Sequence, residues 1–188
     1  MGSEHIESEA SSTKRGPAIC GRCMCGDIRY EFTGPMFDVV HCHCETCRRH
    51  SSTPFVTFYN VNKTEFRYTR GAPVRYESSP GIERTHCGRC GSPISWEGAQ
   101  EFSVFACTLE DLTLVKPQAH IFVGERLPWV NFGDDLPCYE KGPRGEPIGY
   151  GLSNLPQVSV ESVLTNSQET NSARDKFSGG NAATVTST

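Results

Sequence analysis

The sequence has no basic excess. Its 18 Lys and Arg stand against 22 Asp and Glu, for a formal net charge of -4. A nucleic-acid partner needs Lys and Arg to displace counterions from phosphates, so that class is not expected. Long apolar runs are missing too. No stretch approaches the ~18 apolar residues of a membrane-spanning helix, so no membrane partner is expected. The opening MGSEHIESEASSTKRGP holds no apolar segment of the secretory kind, and Ile6 stands where a myristoylation signal needs Ser or Thr. A cytoplasmic protein is the expectation. A long amphipathic helix and any solenoid-length repeat are also absent, which excludes bundles, coiled coils and helical arrays.

What remains reads as one domain between polar ends. Residues 1–17 are Ser- and Glu-rich without periodicity and are expected to form a disordered leader. From Gly142 to Thr188 the chain is dominated by Gly, Pro, Ser, Thr and Asn, and a largely disordered tail is expected, with a short apolar patch around Val158 to Leu164. Between them, residues 18–141 show short alternating runs separated by Gly, Pro and Asn. DIRYEF puts Ile28, Tyr30 and Phe32 on one face of a strand, and FVTFYNV from Phe55 suggests a strand covered on both sides. FRYTRG, VRYE, ERTH, PISWE, EFSVFACT and AHIFV continue the series. The pattern predicts a mainly β domain with one short helix, over Glu45 to Ser51.

The abundant feature is cysteine, ten in all. In a reducing compartment such a density points to metal binding rather than disulfides, and the spacing supports this. Cys87-Gly88-Arg89-Cys90-Gly91 is a C-x-x-C turn whose glycines permit the tight backbone that makes two sulfurs converge. It supplies half of a zinc tetrahedron. Cys23 and Cys25 are the best candidates for the other half, with Cys20 as a competitor. Four thiolates make a closed, structural site whose binding energy becomes folding energy.

The middle cluster, Cys42-His43-Cys44-Glu45-Thr46-Cys47, offers three thiolates and no obvious fourth. Three protein ligands and a vacancy describe a catalytic zinc, here one suited to a soft thiolate ligand. A second structural zinc completed by Cys20, a histidine or another cysteine is the alternative. His41 and His43 alternate with the cysteines and are expected to face away from the ion. Cys107 and Cys138 are isolated and read as ordinary thiols.

These segments resemble the family of glutathione-dependent formaldehyde-activating enzymes, related to centromere protein V. The likeness runs from about Ile19 to Glu140 and rests on GRCMCGDIRYEFTGP, HCHCETCRR, RYESSPGIERTHCGRCGSPISWE and ERLPWVNFGDDLPCYE. It implies a small zinc-stapled β assembly of β-tent type, with two zinc ions per chain. Cys23, Cys25, Cys87 and Cys90 would hold the structural ion, and Cys42, Cys44 and Cys47 the catalytic one. The implied activity is carbon–sulfur lyase chemistry that forms or breaks S-hydroxymethylglutathione, with a small thiol such as glutathione and a carbonyl compound as partners. The chain departs from its relatives at Ser52-Thr53, where a Gly-Ser pair is frequent, and at the following Pro54.

Beyond the ligands, proton transfer needs an acid or base, and His50 on the short helix is the first choice. Arg48 and Arg49 have the fork geometry to hold substrate carboxylates. His86 is expected beside the structural turn, and Trp96 and Trp129 in the core or lining a pocket. Two alternatives stay open: a non-enzymatic protein-binding module with two structural zincs, and a related enzyme acting on a larger secondary-metabolite substrate.

Overall fold

The computed structural model describes residues 16–158. Short β-prone runs broken by Gly and Pro form twelve strands among them: β1 (Ile19–Arg22), β2 (Arg29–Phe32), β3 (Phe37–Cys42), β4 (Val56–Asn60), β5 (Phe66–Arg70), β6 (Val74–Ser79), β7 (Ile82–His86), β8 (Pro93–Glu97), β9 (Phe102–Phe105), β10 (Ala119–Ile121), β11 (Pro137–Tyr139) and β12 (Gly149–Tyr150). The single α-helix of this region, α1 (Glu45–Ser51), lies where the sequence predicts it. The chain is mainly β, as expected.

A three-stranded antiparallel sheet has the order β1-β2-β5, and a nine-stranded sheet has the order β12-β11-β10-β3-β4-β9-β8-β7-β6. In the large sheet β10 runs parallel to both β3 and β11, and the other pairings are antiparallel. Ile28, Tyr30 and Phe32 bury one face of the small sheet, the alternation read from the sequence. They pack with Tyr59, Ile94 and Val104 of the large sheet in the main core, which also takes in Cys23 and Cys87. Tyr30 and Tyr59 bring hydroxyls inside, and these are satisfied in series. Thr108 donates to the Phe105 carbonyl at 2.7 Å, and the Tyr30 hydroxyl reaches Thr108 Oγ1 at 2.6 Å and Tyr59 at 3.2 Å. Burial without such partners would cost about 1–3 kcal/mol per group.

A second core lies on the other part of the large sheet: Val40, Cys42, Cys47, Val56, Phe105, Ala119 and Ile121. Strand β4 serves both, giving Tyr59 to the first and Val56 to the second, so it is covered on both sides as its sequence suggests.

The chain differs from expectation at its C-terminal side. Structure does not stop at Gly142: β12 pairs with β11, and Leu152 is 2% exposed in a third core with Val123, Val130 and Cys138. A few apolar residues in Gly- and Pro-rich surroundings suffice, because they dock on an existing sheet edge rather than building a core of their own. Residues 1–15 and 159–188 lie outside the described residues, and with them most of the expected leader and tail and all but Val158 of the apolar patch.

Candidate metal centres

Two groups of cysteine sulfurs converge, each within 4.8 Å: Cys23, Cys25, Cys87 and Cys90, and separately Cys42, Cys44 and Cys47. In the first, the turn after Cys87 closes by a Gly91 N–H bond to the Cys87 carbonyl at 2.9 Å, with Gly91 at φ 75°. That backbone conformation is one that L side chains avoid, which is the reason for glycine there. The Cys23–Cys25 and Cys25–Cys87 sulfur separations are 3.5 and 3.7 Å. Thiolates around zinc, with bonds of about 2.3 Å, are separated by about 3.8 Å. A disulfide would need about 2.05 Å. The four sulfurs fit a zinc ion.

Backbone and hydroxyl donors already point at these sulfurs. Ile28 N–H donates to Cys23 Sγ at 3.3 Å. Met24 N–H donates to Ser92 Oγ at 3.1 Å, and that hydroxyl lies 3.3 Å from Cys90 Sγ, pulling the Cys90 thiol down to about 5. Such donors favour thiolate over thiol. Cys20 is exposed on β1 and stands outside the group.

The second group sits where β3 hands over to α1. Cys42 ends the strand, and Cys44 caps the helix by accepting the Cys47 N–H at 3.3 Å. Cys47 is in the first turn. Among the described residues no fourth His, Cys, Asp or Glu joins the trio. Cys47 is drawn strongly toward thiolate by the neighbouring Cys42 and Cys44 thiols and by Arg84. Hydrogen bonding to Cys44 and Cys47, together with burial, pushes the Cys42 thiol the other way.

All three cysteines line a cavity of about 430 Å³. Its walls are largely apolar, from Val40, Phe58, Ile82, Trp96, Ile121 and Phe122, with carboxylates at Asp38, Glu101 and Glu125. A bulge in β3 between Phe37 and Val40 puts Asp38 at φ 47°, where it accepts from Asn60 at 3.4 Å. Phe122, at φ 56°, is a second non-glycine residue in the left-handed region on the cavity wall. Glu125 Oε2 accepts the Glu45 N–H at 2.7 Å, next in sequence to Cys44.

A family model described as glutathione-dependent formaldehyde-activating enzyme matches residues 18–125. The chain belongs to this family. A curated relative, the uncharacterized lyase C29B12.13 of Schizosaccharomyces pombe, is 32% identical over 78 residues, which is 42% of this chain. The chain spans 56% of that relative's length. A crystal structure of a Rhodobacter sphaeroides protein is similar at 22% identity with a TM-score of 0.43, over 49% of this chain and 88% of that one. The two clusters can hold metal ions.

In this member of the formaldehyde-activating family, Arg48, Arg49 and His50 lie apart from the cavity lining. Arg48 spends its guanidinium on the carbonyls of His43 (3.0 Å) and Glu125 (3.1 Å), bracing the turn that carries the trio. Arg49 pairs with Glu45 at 2.6 Å. Both border an outer groove with Pro54 and Trp129. His50 is half-buried, with Nδ1 2.8 Å from the Tyr76 hydroxyl and its ring against Phe105. Burial, aided by the Arg84 charge, depresses its pKa to about 4. His86 stands edge-on to Tyr76, Trp96 lines the cavity and Trp129 is exposed. His41 and His43 face away from the trio into a cluster with His120, as the alternation predicts. Cys107 is exposed and Cys138 lies in the third core.

Three residues escape the sequence reading. Arg84 is 2% exposed, with Nη1 and Nη2 at 3.9 and 3.8 Å from Cys47 Sγ. It sits in ERTH, which reads as an ordinary strand with an outward charge. Glu125 and His120 come from segments remote in sequence from the trio, and no spacing signals their approach.

Proposed function

We propose that the protein is a zinc-dependent lyase that forms or breaks a thiol–carbonyl adduct of the S-hydroxymethylglutathione kind. The observation that carries this reading is the trio of Cys42, Cys44 and Cys47 opening on a cavity, with no fourth side-chain ligand among the described residues. A zinc ion held by the trio would supply Lewis acidity and would favour a sulfur ligand. A second zinc at Cys23, Cys25, Cys87 and Cys90 ties β1 and β2 to the β7–β8 turn and contributes folding energy.

The chain's own groups supply the rest. Glu125 is held beside Cys44 and lines the cavity, so it is assigned as the proton carrier in place of His50. It takes the proton of the incoming thiol. The freed sulfur electron pair forms the carbon–sulfur bond, and the carbonyl π electrons move to oxygen, which receives the proton back from Glu125. Run backwards, the same steps break the adduct into thiol and carbonyl compound. Apolar walls exclude water and hold the carbon partner.

The cavity's size and lining favour a carbonyl compound bulkier than formaldehyde, since a one-carbon substrate touches few of these side chains. The test is cobalt-substituted protein, with metal content measured as two ions per chain. Added glutathione should shift the sulfur-to-cobalt charge-transfer band. A spectrum that no thiol or other small ligand perturbs would mean a saturated ion and a purely structural module.

A further inference from the structure

Arg84 is the one arginine of the cavity lining buried to this depth, and its guanidinium has no carboxylate within ion-pair distance among the described residues. An ionised group in that position is among the costliest to bury unless opposite charge compensates it. Its Nε is fixed by Ser78 Oγ at 3.1 Å, and its two terminal nitrogens lean on Cys47 Sγ. Register neighbours connect it to the rest of the cavity wall: Arg84 opposes Trp96, Trp96 opposes Ser103, and Ser103 opposes Asn60. The other arginine of the lining, Arg144, is exposed and taken up by Glu101 at 2.9 Å. The remaining charges there, Asp38 and Glu125, are negative and would repel an anion.

Three thiolates around a divalent ion leave one unit of negative charge. Such a centre resists an anionic fourth ligand, and the cavity carboxylates add to the resistance. Arg84, with its terminal nitrogens 3.8 and 3.9 Å from Cys47 Sγ, would offset that unit, so an anionic ligand would meet a centre with little net charge.

We propose that Arg84 is the residue that admits an anionic ligand to the open side of the Cys42–Cys44–Cys47 trio, selecting thiolates and other anions over neutral ligands. It is a positioning and charge-balancing residue acting through Cys47. The inference rests on the open position proposed above and adds the charge that position accepts.

The experiment compares two small probes on cobalt-substituted protein by optical titration: azide, an anion, and imidazole, which is neutral. Wild-type protein should bind azide. Arg84→Met should weaken azide roughly tenfold or more while leaving imidazole within roughly twofold, because removing one nearby charge acts on the charged probe alone. Arg84→Lys, which keeps the charge, should recover most of the azide affinity. Equal weakening of both probes in Arg84→Met, or of neither, would overturn the inference. Wild-type protein that binds imidazole and refuses azide would overturn it without any variant. Wild-type protein that binds no probe would instead refute the open position.

Discussion

His43 Nε2 lies 3.0 Å from His120 Nδ1, on the side of β3 turned away from the cavity. His120 Nε2 in turn lies 3.2 Å from both oxygens of Asp134. A carboxylate accepts, so His120 carries its proton on Nε2 and its Nδ1 is the acceptor for His43 Nε2–H. Both rings are fully buried, and burial lowers the pKa of each, that of His43 to about 3. The chain of bonds fixes the residue between two of the three cysteines, much as outer-shell partners orient metal ligands. Replacing His120 by Phe strands the His43 N–H and should cost about 1–3 kcal/mol. Asp134 is itself 31% exposed, so water can take the place of its carboxylate in Asp134→Ala, which should cost less. Urea midpoints and metal content measure the order, and a costlier Asp134→Ala would show that the relay does not hold His43.

The two cysteine groups should respond differently to serine. Cys44→Ser is expected to lower bound zinc by one ion per chain and abolish activity while the fold survives, because Cys42 to Cys47 are six consecutive residues and the ion they hold links no distant segments. Cys87→Ser breaks a cross-link spanning more than sixty residues and should cause misfolding. Metal analysis with circular dichroism distinguishes them; identical behaviour would remove the division into catalytic and structural sites.

Much of this arrangement is legible in sequence because cysteine spacing is local. The C-x-x-C turn, the trio and the helix over Glu45 to Ser51 depend on neighbours a few residues apart. Strands β2 and β4 to β10 carry alternation or β-branched and aromatic density. Strands β11 and β12 are short, sit among Gly and Pro, and exist because a sheet edge is present to receive them. Arg84 shows the same limit at the site: nothing in Glu83-Arg84-Thr85 says which of its charges turns inward. Only the packing that sets β7 against α1, where Arg84 meets Cys47, decides it.

Glu125→Gln should reduce turnover by roughly a hundredfold or more while leaving thiol binding to the cobalt protein intact, since the amide still accepts the Glu45 N–H but carries no proton to and fro. Steady-state rates on a thiol–aldehyde adduct and optical titration provide the two readouts. Unchanged turnover would remove Glu125 from the chemistry.

His50 gives a pH test whose sign follows from its depressed pKa. In the folded protein its imidazole stays neutral down to about 4, whereas the unfolded chain takes up a proton near the ordinary value of 6.5. Below that value the unfolded state binds more protons, so the stabilising share of His50 is complete at pH 7.5 and shrinks as pH falls toward 4. The stability difference between the parent and His50→Gln should therefore narrow from pH 7.5 to pH 5, with zinc loss common to both cancelling in the comparison. A difference that widened on acidification would mean that His50 is charged in the folded state.

Ser52 closes α1 in the left-handed conformation, at φ 54° and ψ 40°, with its N–H bonded to the Arg48 carbonyl. This is the first position of the Ser52-Thr53 pair, where the family resemblance implies a Gly-Ser pair. A side chain at such an angle crowds its own backbone by about 1 kcal/mol, and glycine is free of that cost. Among the described residues the Ser52 hydroxyl has no hydrogen-bond partner that would offset the strain, for the helix end is tied instead by Ser51 Oγ to the Cys47 carbonyl at 2.8 Å and to Thr53 at 2.7 Å. Ser52→Gly should therefore raise stability by about 0.5–1 kcal/mol, the gain being reduced by the greater freedom of glycine in the unfolded chain. Because the residue borders the outer groove and not the cavity, azide and thiol titrations of the cobalt protein should be unchanged. Denaturant midpoints decide the matter: a fall on substitution would mean that the serine side chain contributes a contact worth more than the backbone strain it imposes.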